Sequence, residues 1–270
     1  MINRLDSFLC QNWRELSQIA KNHCNGGYPD SEGCCWYHGN WLLLRCLGLV
    51  SNPVWHLNFY LREIKNHYKN HATVIGAADI SMPYICHLAS VDSILIADIC
   101  NTPLSLCDKF SKIENLNWRT ANVNLLQNCL SDYPSSLIVN DAFLTRFKKN
   151  EKLTILKKIY ENLSNGGVYI TTVRKGVYCE NGYKSPVEFR NKFIKRAIEI
   201  AQKKGILCKK KVKIISHEYI NKMISFPIES KQELSLLANS VGFKILNLFH
   251  VTVPGESETS EYFEVVMKKV

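Results

Sequence analysis

The chain has 270 residues, of which 46% are hydrophobic and 21% charged; this supplies a large buried core and excludes a disordered or fibrous polymer. No apolar run approaches the roughly 20 residues that a membrane-spanning helix needs, so no membrane partner is expected. The formal charge of +10 is local: Arg174 to Lys213 holds thirteen basic residues against Glu180, Glu188 and Glu199, which accounts for the whole excess.

From the first residue to about position 71 the chain reads as a helical cap. MINRLDSFLCQNWRELSQIA is amphipathic, with apolar residues at spacings of three and four, and lacks the apolar stretch and small-residue cleavage site of an export signal. The expected compartment is the cytoplasm. HCNGGYPDSEGCCWYH follows, with His23, Cys24, Cys34, Cys35 and His38. These are metal-ligand types, but the paired short C-x-x-C or H-x₃-H spacings of structural zinc sites are missing, so a Gly-rich loop and no metal are expected. Eleven cysteines, an odd number without an export signal, read as reduced thiols; Cys86, Cys100, Cys107 and Cys129 sit in apolar company as small hydrophobes. SNP at positions 51–53 separates the second helix from WHLNFYLREIKNHY, with Pro53 in the first turn and Ser51 or Asn52 as cap.

After Ala72 short β-branched runs alternate with helix-length stretches. Strands are expected at ATVIGA, SILIADI, NWRTANV, SLIVNDA, GGVYITTVR, FKILNLFHVTV and YFEVVMKK. Helices are expected at MPYICHLAS, PLSLCDKFSKI, NEKLTILKKIYENLS, PVEFRNKFIKRAIEIAQKKG and SKQELSLLANSVG. Strand alternating with helix predicts an α/β fold: a doubly wound, mostly parallel seven-stranded sheet over residues 72–270. Only PGESETSE joins the last two strands, which are therefore expected to form an antiparallel C-terminal hairpin.

Ligands of such sheets lie past the carboxyl ends of the strands, beside the first one. Gly76 falls at that end, and Ala77 and Ala78 keep the turn small. Asp98 closes the second strand about 20 residues on, where an acid hydrogen-bonds a ribose in nucleotide-binding α/β proteins. In order along the chain, VIGAADI, LIADICNTPLSLC, RTANVN, SSLIVNDAFLTRF, ENLSNGGVYITTVR and ELSLLANSVGFKILN with the closing hairpin resemble the motifs of the class I S-adenosylmethionine-dependent methyltransferases. That resemblance implies S-adenosyl-L-methionine as cofactor, with Gly76, Ala77, Ala78 and Asp79 in the first loop and Asp98 and Ile99 at the ribose. It further implies Asn122 and Val123 beside the adenine, and Asp141, Ala142 and Phe143 near the adenosine and methionine parts. Two positions depart from the pattern: Val74 stands where the family often carries an acid, and Ile80 where it carries a third glycine.

Methyl transfer depends on alignment, and a base is needed only for an acceptor that arrives protonated. CCWYHGNWLLLRCLGLVSNPVWHLNFY supplies the candidates. His38 and His56 are candidate bases, and Arg45 a partner for the cofactor carboxylate through two parallel hydrogen bonds. Tyr37, Trp41, Trp55 and Tyr60 are candidate acceptor-pocket residues; the same aromatics also suit a packing face against the sheet. The expected activity is methyl transfer to a small-molecule acceptor. The alternatives are an RNA methyltransferase using the basic 174–213 segment, reached through VRKGVYCENGYKSPVEF, and a methyltransferase fold that serves only as a binding scaffold.

Overall fold

The computed structural model describes residues 2–24, 34–68, 71–128, 130, 134–206 and 208–270. In chain order the elements begin with α1 (Ile2–His23), α2 (Cys35–Cys46), a 3-10 turn (Pro53–His56) and α3 (Leu57–His67). Then come β1 (Ala72–Ile75), α4 (Ser81–Leu88), β2 (Ile94–Asp98), α5 (Asn101–Glu114), β3 (Trp118–Asn122), β4 (Ser135–Val139), α6 (Lys149–Asn162) and β5 (Leu163–Arg174). The chain ends with α7 (Val187–Lys204), α8 (Lys209–Lys222), α9 (Lys231–Val241), β6 (Phe243–Pro254) and β7 (Thr259–Lys269). The seven expected strands are all present, and the Pro53 turn is capped by Asn52, whose Oδ1 accepts the Val54 amide at 3.1 Å. The α8 helix was not expected. Cys129 lies outside the described residues.

Two compact units share the chain. One contains Asn52–Tyr183, Ser225–Val253 and Glu261–Val270 and carries the sheet, in the order β3-β2-β1-β4-β5-β7-β6. Strands β1 to β5 pair in parallel, whereas β7 runs antiparallel to β5, from Val168↔Lys268 to Arg174↔Tyr262. On one face Ile75, Ala97, Ile138 and Tyr169 pack with Ile155 and Ile159 of α6 and Leu234 and Ala238 of α9, all at 2% exposure or less. Burying a side chain of this size is worth about 1.5–3 kcal/mol, so this layer is what holds α6 and α9 to the sheet. The side chain of Thr172 alternates with that of Val173 in this core and reaches Tyr60, which puts α3 on the other face.

The second unit contains Met1–Ser51, Lys184–Ile224 and Pro254–Ser260. Its boundary differs from the expected cap over residues 1–71: the 3-10 turn and α3 fall in the sheet-bearing unit, and α7 and α8 fall with α1 and α2. The stripe Leu5, Leu9, Trp13, Leu16 and Ala20 at helical spacing makes the buried face of α1. Tyr37 and Trp41 stack with ring centroids 5.1 Å apart, and Tyr219 of α8 lies 6.0 and 6.5 Å from them. Phe193 of α7 completes this aromatic core at 6.3 Å from Tyr219. No helix among the described residues is long and apolar enough to cross a membrane.

Candidate functional site

Strands β3, β2, β1 and β4 end side by side, and β1 lies between β2 and β4. This is the point at which the strand order reverses, where open α/β sheets bind their ligands. Gly76 leaves β1 with φ +66°, its amide bonded to the Ala97 carbonyl at 2.9 Å. The turn therefore rests directly against β2, whose last residue is Asp98. One Asp98 oxygen accepts the Cys100 amide at 2.7 Å, fixing the carboxylate at the strand end. Asp98 stands opposite Asn122 in the β2–β3 register, and the Asn122 amide donates to Ile99 O at 2.9 Å and Asn101 Oδ1 at 3.0 Å. Val123 donates its amide to Asp98 O at 2.9 Å. Gly76, Asp98, Ile99, Asn122 and Val123 thus converge on one edge.

The remainder of the first loop is internally committed. Asp79 is buried and its Oδ1 accepts the Ser81 amide at 2.6 Å, opening α4; Ala77 is buried, and Ala78 is half-buried beside it. Val74 and Ile80, the two departures, are completely buried. Above Gly76 stands Phe143: a Cβ at position 76 would lie 2.1 Å from its Cδ2. The space that the glycine leaves is taken by this ring, which also packs edge-on against Phe147 at 4.8 Å.

A second set of groups lies just past the end of β4, on β5 and β7, and on α3 and the 3-10 turn. Tyr60 is fully buried, its hydroxyl 2.8 Å from Asn140 O and 3.0 Å from Asp141 Oδ1. Thr172 Oγ1 donates to Asp141 Oδ1 at 2.6 Å and accepts the Ala142 amide at 3.1 Å. Ala142 is held in the left-handed region, φ +50°, which costs a residue with a Cβ about 1–2 kcal/mol; the Thr172 bonds pin it there. Burial pushes the Asp141 carboxyl above its ordinary range, against the opposing pull of His56 and of the Thr172 and Tyr60 bonds. Burial and the nearby Asp141 push the Tyr60 phenol well up, so it remains a hydrogen-bond donor. His56 is buried, and its Nδ1 lies 2.9 Å from Glu264 Oε1. A carboxylate there orients the ring by accepting from Nδ1. Nε2 is buried and has no hydrogen-bond partner among the described residues. Trp55 is half-buried in the 3-10 turn just before it.

The remaining expected site residues belong to the helical unit. Arg45 is buried and its Nη1 pairs with Asp6 of α1 at 3.0 Å, so a carboxylate of the protein itself meets the guanidinium. Tyr37 and Trp41 contribute to the aromatic core with Tyr219. His38 Nδ1 lies 3.4 Å from Cys24 Sγ. Sequence reasoning missed Glu264 and Thr172. Their signal was present: Glu264 interrupts the apolar run Tyr262 to Met267, and Thr171 and Thr172 interrupt that of β5. Polar groups inside such runs are buried only when paired.

The strand order, the parallel β1–β5 set and the antiparallel β7 define the class I S-adenosylmethionine-dependent methyltransferase fold, and the chain has this fold. It is similar to the 1,6-didemethyltoxoflavin-N1-methyltransferase of Burkholderia thailandensis, with TM-score 0.55 and 12% identity over 80% of this chain and 81% of that one. The N-methyltransferase NodS of Bradyrhizobium japonicum, solved with S-adenosyl-L-homocysteine, aligns at TM-score 0.51 and 11% identity over 85% and 97% of the two chains. An S-adenosylmethionine-dependent methyltransferase of Methanosarcina mazei aligns at TM-score 0.51 and 18% identity over 77% and 97%. Against TehB of Haemophilus influenzae the likeness spans 78% of this chain and 61% of that one. No family model matches the sequence, and no curated protein matches it.

Proposed function

We propose that the protein is an S-adenosylmethionine-dependent methyltransferase acting on a small-molecule acceptor. The observation that carries this reading is the convergence of Gly76, Asp98 and Asn122 at the switch point of the sheet. The donor set suits an adenosyl group: Asp98 offers a carboxylate at the height of a ribose, and Asn122 and Val123 flank the adjoining strand end for the adenine. Over Gly76 the fit requires the Phe143 ring to turn away from the space it fills. When bound, S-adenosylmethionine supplies an electrophilic methyl group on its sulfonium. The protein's own part is to align the acceptor and to receive its proton where it carries one. His56 suits that task, because Glu264 orients the ring and Nε2 is not engaged by any described residue. Tyr60, Thr172 and Asp141 hold the β4 loop beside it in a single geometry.

The test is calorimetric titration of the folded protein with S-adenosylmethionine and S-adenosylhomocysteine, for the wild type and Asp98→Ala. Binding that the variant weakens supports the assignment; formation of S-adenosylhomocysteine with small polar or aromatic acceptors then identifies the transferred group. One observation favours a second reading, a binding scaffold: Phe143 already occupies the space over Gly76. No detectable binding of either compound to folded protein would leave that reading in place.

A further inference from the structure

We propose that Cys24, Cys34 and His38 form a zinc-binding site that ties the end of α1 to the start of α2. Cys24 directly follows α1, with its amide bonded to Ala20 O, and Cys34 immediately precedes α2. His38 lies four residues after Cys34, a spacing that puts the two side chains on one helical face. Residues 25–33 lie outside the described residues, yet the sequence positions on either side of them come together. The two Sγ atoms and a ring nitrogen lie within 4.8 Å of one another, and all three residues are buried, at 7%, 3% and 7% exposure. The ligand types, the geometry and the charge all favour a metal.

Two thiolates and an imidazole are the soft and borderline donors that select zinc among the common divalent ions. With Zn–S near 2.3 Å and Zn–N near 2.0–2.1 Å, tetrahedral S and N ligands stand about 3.5 Å apart. Cys24 Sγ and His38 Nδ1 are 3.4 Å apart, so the pair already has the required edge length. Two thiolates, a neutral imidazole and Zn²⁺ sum to no net charge, which is what a buried site tolerates. Binding displaces the thiol protons, so affinity falls with acidity. Three ligands from this unit leave the fourth tetrahedral position for another donor. The proposal stands apart from the methyltransferase reading, because it requires neither the sheet edge nor a cofactor.

The test uses the full chain purified under reducing conditions without chelator. About one zinc per chain by elemental mass spectrometry is expected, as is a thiolate-to-cobalt charge-transfer band after cobalt exchange. Cys24→Ser, Cys34→Ser and His38→Ala are expected to weaken zinc at least tenfold in competition with a chromogenic chelator, and Cys179→Ser to leave it unchanged. Should those variants fail to fold, the unmutated protein still answers: chelation should expose Cys24 and Cys34 to alkylation, read by peptide mass spectrometry. Folded protein without zinc whose two thiols alkylate equally with and without chelator would overturn the site. So would a Cys24–Cys34 disulfide, or undiminished affinity in the variants.

Discussion

The packing of Phe143 over Gly76 yields a quantitative prediction. In Gly76→Ala the new Cβ would lie 2.1 Å from Cδ2 and 2.5 Å from Cε2 of the ring, where carbon contacts settle near 3.5–4.0 Å. The ring must move by more than an ångström, at the expense of its edge-on packing against Phe147. Overpacking of this kind costs about 1–3 kcal/mol. The φ of +66° adds about 1–2 kcal/mol for any residue with a Cβ. Gly76→Ala is therefore expected to destabilise by about 2–5 kcal/mol in urea unfolding followed by circular dichroism. In a Phe143→Ala background only the backbone part remains, so the two changes should couple by about 1–3 kcal/mol. Equal costs in both backgrounds, or a cost for Gly76→Ala below about 1 kcal/mol, would refute the packing argument. The same pair reports on the ligand. If S-adenosylmethionine must displace the ring, Phe143→Ala tightens its binding, by about fivefold for roughly 1 kcal/mol of ring displacement. A tenfold loss instead would make the ring part of the ligand's own contact surface.

Asp98→Ala is expected to weaken S-adenosylmethionine by about 1–3 kcal/mol in calorimetry, the range for losing a hydrogen bond to a charged group, and to lower unfolding stability as well, because the same carboxylate accepts the Cys100 amide. Asp141→Asn should flatten the pH dependence of stability. A part-buried carboxyl with a raised pKa contributes stability that is complete below its unfolded value and is lost as pH rises through the raised one, so the variant should exceed the wild type above that window. A wild-type profile unchanged by the substitution would remove the burial argument. Thr172→Val deletes two hydrogen bonds that pin Ala142 and Asp141 and should cost about 1–3 kcal/mol in thermal unfolding. Glu264→Gln should lower kcat by about tenfold or more while leaving cofactor affinity unchanged, because it acts only through the orientation of His56; an equal loss in affinity would contradict that role.

Much of the fold was legible because the strands announce themselves chemically. ATVI, ILIAD and SSLIV are β-branched runs short enough to be buried strands, and the single polar linker PGESETSE leaves β6 and β7 no room for a crossover helix. The α8 helix escaped notice because its buried stripe, Val212, Ser216, Tyr219 and Ile220, is interrupted by a serine and preceded by three lysines. Ser216 is accommodated there by returning its hydroxyl to Val212 O at 2.8 Å, a local bond that hydropathy does not register. The division into units was illegible for a different reason. Periodicity says that a helix has a buried face and not which partner covers it, so nothing in the pattern assigned α7 and α8 to the company of α1 and α2.

At the site, the residues legible in sequence were those whose position follows from strand topology. Gly76 directly follows β1, Asp98 and Asn122 end β2 and β3, and the strand order alone brings them together. Residues whose role depends on a partner from a distant strand were not legible. Asp141 was expected near the adenosine and methionine parts of the cofactor; its carboxyl is engaged by Tyr60 and Thr172, from α3 and β5. The His56 ring meets Glu264, 208 positions away. Cys24 and Cys34 illustrate the same limit at shorter range. Spacing rules for zinc count ligands within one knuckle, whereas here one donor follows a helix and the other precedes the next. For Asp141 and His56 a polar group in an apolar neighbourhood was the visible sign. The partner itself follows from tertiary packing, and this is why Glu264 and Thr172 emerge only once the chain is folded.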